Sequence, residues 1–224
     1  NGWRQSGAVS SDIVSWMWRR APRFFDVVTY RGTSEDSAAK DKPHSLGVVP
    51  DMMWFKGTTS VSSPYDWYVY HKDLGNTQTL ELTGSFPPQG SAHTWENTTP
   101  TDTTFHLSSH PAINGSGNDY IAFLWASVPG ICDIGSYIGD GIGQDIDCGF
   151  TNGARFVLIK RTDASGDWIY ADTLRGMSAS TPTLWLNKTN AEIKTGYIQP
   201  YSGGFRVDRD GNFNGAEYIY IAIA

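Results

Sequence analysis

The feature that most constrains this chain is an internal duplication. Trp18, Pro22, Asp26, Tyr30 and Gly32 recur as Trp125, Pro129, Asp133, Tyr137 and Gly139, at one spacing and without a gap (18 to 125, 32 to 139). The match continues downstream with small shifts. Met52-Met-Trp-Phe-Lys56 answers Phe156-Val-Leu-Ile-Lys160, Asp66-Trp67 answers Asp167-Trp168, and residues 120–126 answer 218–224. Self-similarity over such a length means two copies of one folding unit. The expected units are residues 23–128 and 129–224. Asp12-Ile-Val-Ser-Trp-Met-Trp18 stands at the same spacing from Asp119-Tyr-Ile-Ala-Phe-Leu-Trp125. Residues 1–22 therefore read as the last strand of a preceding unit in a longer modular protein. Two lobes and one pseudo-symmetric domain are equally compatible with the pattern.

Each unit reads as about six short strands, which in the first copy cover 24–30, 52–56, 67–71, 79–83, 104–107 and 120–126. Segments such as Trp67-Tyr-Val-Tyr-His71 alternate, and turn formers such as Asn114-Gly-Ser-Gly-Asn118 separate the runs. Aromatic residues make up 13% of the chain, with 9 Trp and 11 Tyr, and such side chains pack well on a pleated, half-buried surface. No apolar pattern of helical period is long enough for a substantial helix. The expected fold is all-β: an antiparallel β-sandwich, or a pair of them, with little or no helix.

Charge excludes several functions. The net charge is −6, and the sole basic run is Arg19, Arg20 and Arg23, so no phosphate-tracking surface is expected and nucleic acid is not an expected partner. No apolar run reaches the length of a bilayer span, so membrane insertion is not expected either.

The strings Phe25-Asp-Val-Val-Thr-Tyr-Arg-Gly32, Leu46-Gly-Val-Val-Pro50, Asp147-Cys-Gly-Phe150 and Ala154-Arg-Phe-Val-Leu-Ile-Lys-Arg-Thr-Asp163 resemble a repeat module of tail-fibre and virion structural proteins of tailed bacteriophages, especially marine and cyanobacterial ones. The resemblance runs over residues 12–224. It implies a β-rich module of a virion appendage, assembled in the bacterial cytoplasm and built into a homotrimer that touches other virion proteins. It brings no assigned functional residue. In that compartment thiols stay reduced and the sequons at Asn97, Asn114 and Asn187 carry no glycan.

Candidate sites are few. The acidic residues give no diagnostic pair for glycoside hydrolysis, and no nucleophile elbow appears. The histidines His44, His71, His93, His106 and His110 all lie in the first unit, and Asp172 and Arg206 stand where the second would carry His71 and His106. The scaffold thus does not require histidine there. Asp208, Asp210 and Asn212 place oxygen side chains at every second position, as a calcium loop does, although a plain Asp-Gly-Asn turn explains the same residues. No other cofactor is expected. Cys132 and Cys148 replace apolar residues of the first unit, which points to buried thiols; a bond between them is the alternative. Trp95 and its neighbour His93, with Tyr197 and Tyr201, sit in polar loops, and loop aromatics on a rigid β scaffold are a usual means of holding a ligand. They also pin loops onto a core.

The leading expectation is a non-enzymatic attachment module that binds a host-surface polysaccharide or receptor. A purely structural spacer or virion decoration domain is the alternative, and a glycan depolymerase a remote one.

Overall fold

The computed structural model describes residues 16–34, 40–59, 66–90 and 94–224. His93 lies outside them. The first unit forms β1 (Phe25–Arg31), β2 (Asp41–Pro43), β3 (Met52–Gly57), β4 (Tyr68–His71), β5 (Gln78–Glu81), β6 (Gln89–Gly90), β7 (Thr104–His106), a single helical turn α1 (Pro111–Asn114) and β8 (Asp119–Trp125). The second forms β9 (Cys132–Ile138), β10 (Gln144–Asp147), β11 (Phe156–Arg161), β12 (Trp168–Asp172), β13 (Pro182–Trp185), β14 (Ile193–Lys194), β15 (Ile198–Tyr201), β16 (Gly204–Val207) and β17 (Glu217–Ile223). All pairings are antiparallel, and the fold is all-β.

The duplication is visible in the topology. One six-stranded sheet runs β1-β8-β3-β4-β5-β6, and the other runs β9-β17-β11-β12-β13-β14, which is the same order. The registers agree: Met52 pairs with Trp125 and His71, and Phe156 pairs with Ile223 and Asp172. A small sheet accompanies each, β2-β7 in the first unit and β10-β16-β15 in the second.

The two large sheets face each other. A shared core takes Met52, Trp54, Val69 and Trp125 from one and Phe156, Leu158, Tyr170 and Ile221 from the other. Alternate residues of the same strands fill two outer cores. Met53 and Phe55 pack under β2-β7, and Val157 and Ile159 pack under β10-β16-β15. Both faces of each large sheet are thus buried, which is why β3 and β11 read as unbroken apolar runs rather than alternating ones. The two units are joined through one core.

Local details repeat too. Tyr30 stacks on Tyr120 at 5.2 Å, and Tyr137 on Tyr218 at 4.9 Å. Gly32 and Gly139 end their strands where a Cβ would sit 2.1 Å from the Gly115 carbonyl oxygen and 2.2 Å from that of Phe213. That close approach explains the glycine in both copies. Of the proposed N-terminal strand, only Trp16–Trp18 are described, and they are not in a strand. They lie instead along the shared core, with Trp18 5.6 Å from Trp125 and Trp16 4.5 Å from Tyr170. Among the described residues no helix is long and apolar enough to cross a membrane.

Candidate functional site

The loop aromatics do not assemble into a site. Trp95 is only 1% exposed. Its ring packs on Phe55 and Tyr70, and its indole N–H donates to the Gln78 carbonyl at 3.0 Å. It plugs the outer core of the first unit, where residues 94–103 form no strand to close that core. This corrects its reading as a surface ligand. Tyr197 is half-buried against the outer core of the second unit, on the far side of the paired sheets. Burial, then the neighbouring Asp210 carboxylate, push its hydroxyl up to about 12. Tyr201 lines a separate depression of about 270 Å³ with Asn152, Met177 and Pro200.

The acidic turn has another task. Asp208 caps a short 3-10 turn (Arg209–Gly211) by accepting from the Arg209 amide. The buried Asn212 accepts from the Asp140 amide at 3.0 Å and donates to the Asp140 carboxylate at 2.6 Å. Tyr218 donates to the Asp210 carbonyl. The first unit makes the same turn without acids. His110 caps it, the buried Asn114 accepts from the Thr33 amide, and Tyr120 donates to the Pro111 carbonyl. The oxygen-rich spacing therefore serves a hydrogen-bonded turn that recurs in a copy with no calcium-like pattern. Among the described residues no three His, Cys, Asp or Glu side chains are grouped to hold a metal. Cys132 and Cys148 are unbonded and lie in different cores; burial raises both thiols well above the usual range.

What the fold does assemble is an aromatic cleft at the seam of the two sheets. It has a volume of about 390 Å³ and is lined by Trp16, Trp18, Trp54, Trp67 and Trp125, with Leu82, Thr83, Phe123 and Leu186. That volume lies in the range of about 300–1,000 Å³ usual for small-molecule sites. Trp54, Trp125 and Leu82 form its buried floor, and Trp16, Trp18, Trp67, Phe123 and Leu186 its half-exposed walls. Trp67 stacks on Phe123 at 5.8 Å, and Trp54 lies 4.6 Å from Trp125. The lining holds no charged side chain among the described residues. At the rim, Lys56 stands over the Trp67 ring and Thr83 donates to Asp66.

The floor carries an unmet demand. The indole N–H groups of Trp54 and Trp125 are buried and have no hydrogen-bond partner among the described residues. Such an orphaned donor costs about 1–3 kcal/mol. Trp168, the counterpart of Trp67, shows the usual alternative: it is buried and donates to the Glu81 carbonyl at 2.9 Å. These tryptophans were legible one by one but not as a group. The signal was an asymmetry between the copies, since Trp54, Phe123 and Trp125 answer Leu158, Ile221 and Ile223.

A family model matches residues 2–224, almost the whole chain, and its description is a domain of unknown function, DUF7483. The chain belongs to the DUF7483 family. No curated protein and no solved structure matches it. Membership in DUF7483 thus brings no function with it, and the cleft has to be read from its own chemistry.

Proposed function

We propose that this chain is a non-catalytic attachment module of a phage virion appendage, and that the seam cleft holds a sugar unit of a host-surface glycan. The observation that carries this reading is the convergence of five tryptophans on one open cleft in a rigid double sandwich. Sugar rings present flat C–H faces, and flat indoles offer them large contact area with little side-chain entropy to lose. The lining offers no carboxylate, so it supports holding a glycan rather than cutting it. Weak single contacts suffice where an appendage presents several copies at once, as the resemblance to homotrimeric tail fibres implies. The virion is then its place of work, and other virion proteins its neighbours.

One observation favours a structural spacer instead. Ile138 on β9, the edge strand of its sheet, and Ile142 just beyond it are exposed. Such a strip suits contact with an adjoining subunit.

The test is binding of the purified chain, arrayed on beads, to envelope polysaccharide from marine cyanobacteria, with Trp67→Ala in parallel. Binding without shortening of the polysaccharide, lost in the variant, supports attachment. Binding with shortening makes the chain a depolymerase. No binding by the array leaves the spacer.

A further inference from the structure

We infer that the seam cleft selects a neutral acetamido sugar, an N-acetylhexosamine, over the matching sugar with a free hydroxyl. This rests on the attachment reading and names the ligand class within it. Three observations point there. First, the cleft is almost wholly apolar, and its described lining carries no acid or base. A plain hexose would have to strip water from hydroxyl groups there without finding enough partners to replace it. An acetamido group brings a methyl for the aromatic wall and concentrates its polarity in one amide.

Second, the unmet groups on the floor are both donors, the N–H of Trp54 and of Trp125. An amide carbonyl is a strong acceptor with two lone pairs, so one oxygen can serve two indoles. Both tryptophans line the cleft while their N–H groups are closed to bulk solvent, so a carbonyl would meet these donors only by inserting between the sheets and displacing their present neighbours. Third, the charges near the rim are mixed. Lys56 stands over Trp67, while Asp66 accepts from Thr83 and Glu81 lies in the adjoining strand. Burial, then Asp66, raise the Glu81 carboxyl. Two carboxylates against one ammonium disfavour an acidic sugar, and the described lining itself carries no charge to hold a basic one. The aliphatic counterparts Leu158, Ile221 and Ile223 make an equally apolar surface without flat rings or donors. The aromatic version thus adds the two features that a sugar carrying an amide would use.

The probes are the methyl glycosides of N-acetylglucosamine, N-acetylgalactosamine and N-acetylmannosamine, each beside its glucose, galactose or mannose partner. Binding is read by tryptophan fluorescence and by saturation-transfer NMR on the full chain. At least one acetamido member should bind ten-fold or more tighter than its partner and shift the tryptophan emission. Trp54→Phe keeps an aromatic floor but deletes one of the two donors, and should lower that ratio several-fold. Thermal unfolding of the variant separates lost fold from lost preference, and Tyr201→Phe, in a separate depression away from the cleft, is the control that should keep the preference. Equal binding of acetamido and hydroxyl sugars overturns the selection but leaves attachment standing. So does binding of envelope polysaccharide with no response to any acetamido sugar. Failure of the polysaccharide and of every glycoside overturns both.

Discussion

The inward faces of the two large sheets occupy equivalent places in equivalent folds, yet they are built differently. At three equivalent positions the first unit turns Trp54, Phe123 and Trp125 toward the seam and the second turns Leu158, Ile221 and Ile223, whereas Phe156 and Tyr170 of the second answer Met52 and Val69 of the first. The aliphatic set shows what the architecture needs, which is apolar volume between two sheets. The aromatic set exceeds that need: it leaves a cleft and strands two indole donors on its floor. Duplication frees one copy to depart from the packing optimum while the other holds the scaffold. The cost of departure is borne locally, at the seam.

The outer cores make the same comparison with the reverse result. In the second unit β15 closes the core, with Ile198 inside it. In the first, Trp95 does that work from a loop. Trp95→Ala should therefore destabilise the chain by about 3–5 kcal/mol, the range for deleting a buried tryptophan. Denaturant unfolding measures it. Any sugar binding should survive at temperatures where the variant remains folded. A stable variant with lost binding would restore Trp95 as a ligand residue and undo the comparison.

The equivalent positions His71 and Asp172 differ in charge type, and acid should tell them apart. His71 is fully buried, its Nε2 faces the Tyr220 carbonyl at 3.4 Å, and its Nδ1 accepts from the Asp73 amide. Burial lowers it to about 4. A folded chain then resists the proton that the unfolded chain binds near pH 6.5, so stability falls as pH drops from about 6.5 to about 4. Over that window the loss is on the order of 3 kcal/mol. At Asp172 burial pushes upward, but hydrogen bonds from Tyr170 and Arg175 outweigh it and hold the carboxyl below its usual range. Its share of stability is lost only at lower pH, below the ordinary carboxylate value. His71→Gln should flatten the upper window in pH-dependent unfolding and leave the lower one. A variant with an unchanged pH profile would show that the imidazole is protonated in the fold.

Making the first unit resemble the second gives a smaller effect. Trp54→Leu removes aromatic contacts but also an orphaned donor, and it enlarges a cleft that is already open rather than sealing a void. The expected loss is about 1–2 kcal/mol, below the cost of a closed cavity. Leu158→Trp, the reverse exchange, has no cleft to enter and should cost at least as much through overpacking, about 1–3 kcal/mol. Unfolding free energies of the two variants decide whether the seam is asymmetric in energy as well as in composition.

How far the sequence reached follows from the same contrast. Six of the eight strands of the first unit were legible to within a residue or two, because turn formers and apolar runs are local signals, while β2 and β6, short and without an apolar run, were not. The all-β class followed from them. The joining of the units was not legible, since period and turn chemistry say nothing about which face meets which. The cleft was missed for a related reason. Trp16 and Trp18 lie far in sequence from Trp67 and Trp125, and only the packing of two sheets brings them together. Trp95 misled because a polar loop normally lies outside, whereas here the ring fills the place a strand takes in the other copy.

The turn that enters each unit carries the finest difference. Ala21 bridges to Phe25 as Val128 does to Cys132, so residues 18–25 and 125–132 follow one path. That path needs a left-handed residue. The second copy supplies Gly130 at φ 73°, and the first forces Arg23 to φ 67°. A side chain held there costs roughly 1–2 kcal/mol. Gly130 has no atom within 4 Å of where a Cβ would stand. Gly130→Ala should then lose about 1 kcal/mol through backbone conformation alone, since nothing is there to clash. Arg23→Gly relieves the strain but loosens the unfolded chain, so the net gain should be no more than about 0.5 kcal/mol. Opposite signs at two equivalent positions would establish that the copies share a backbone and differ in how well their residues suit it. Equal signs would mean that the Arg23 side chain gains enough from its surroundings to offset the conformation it is held in.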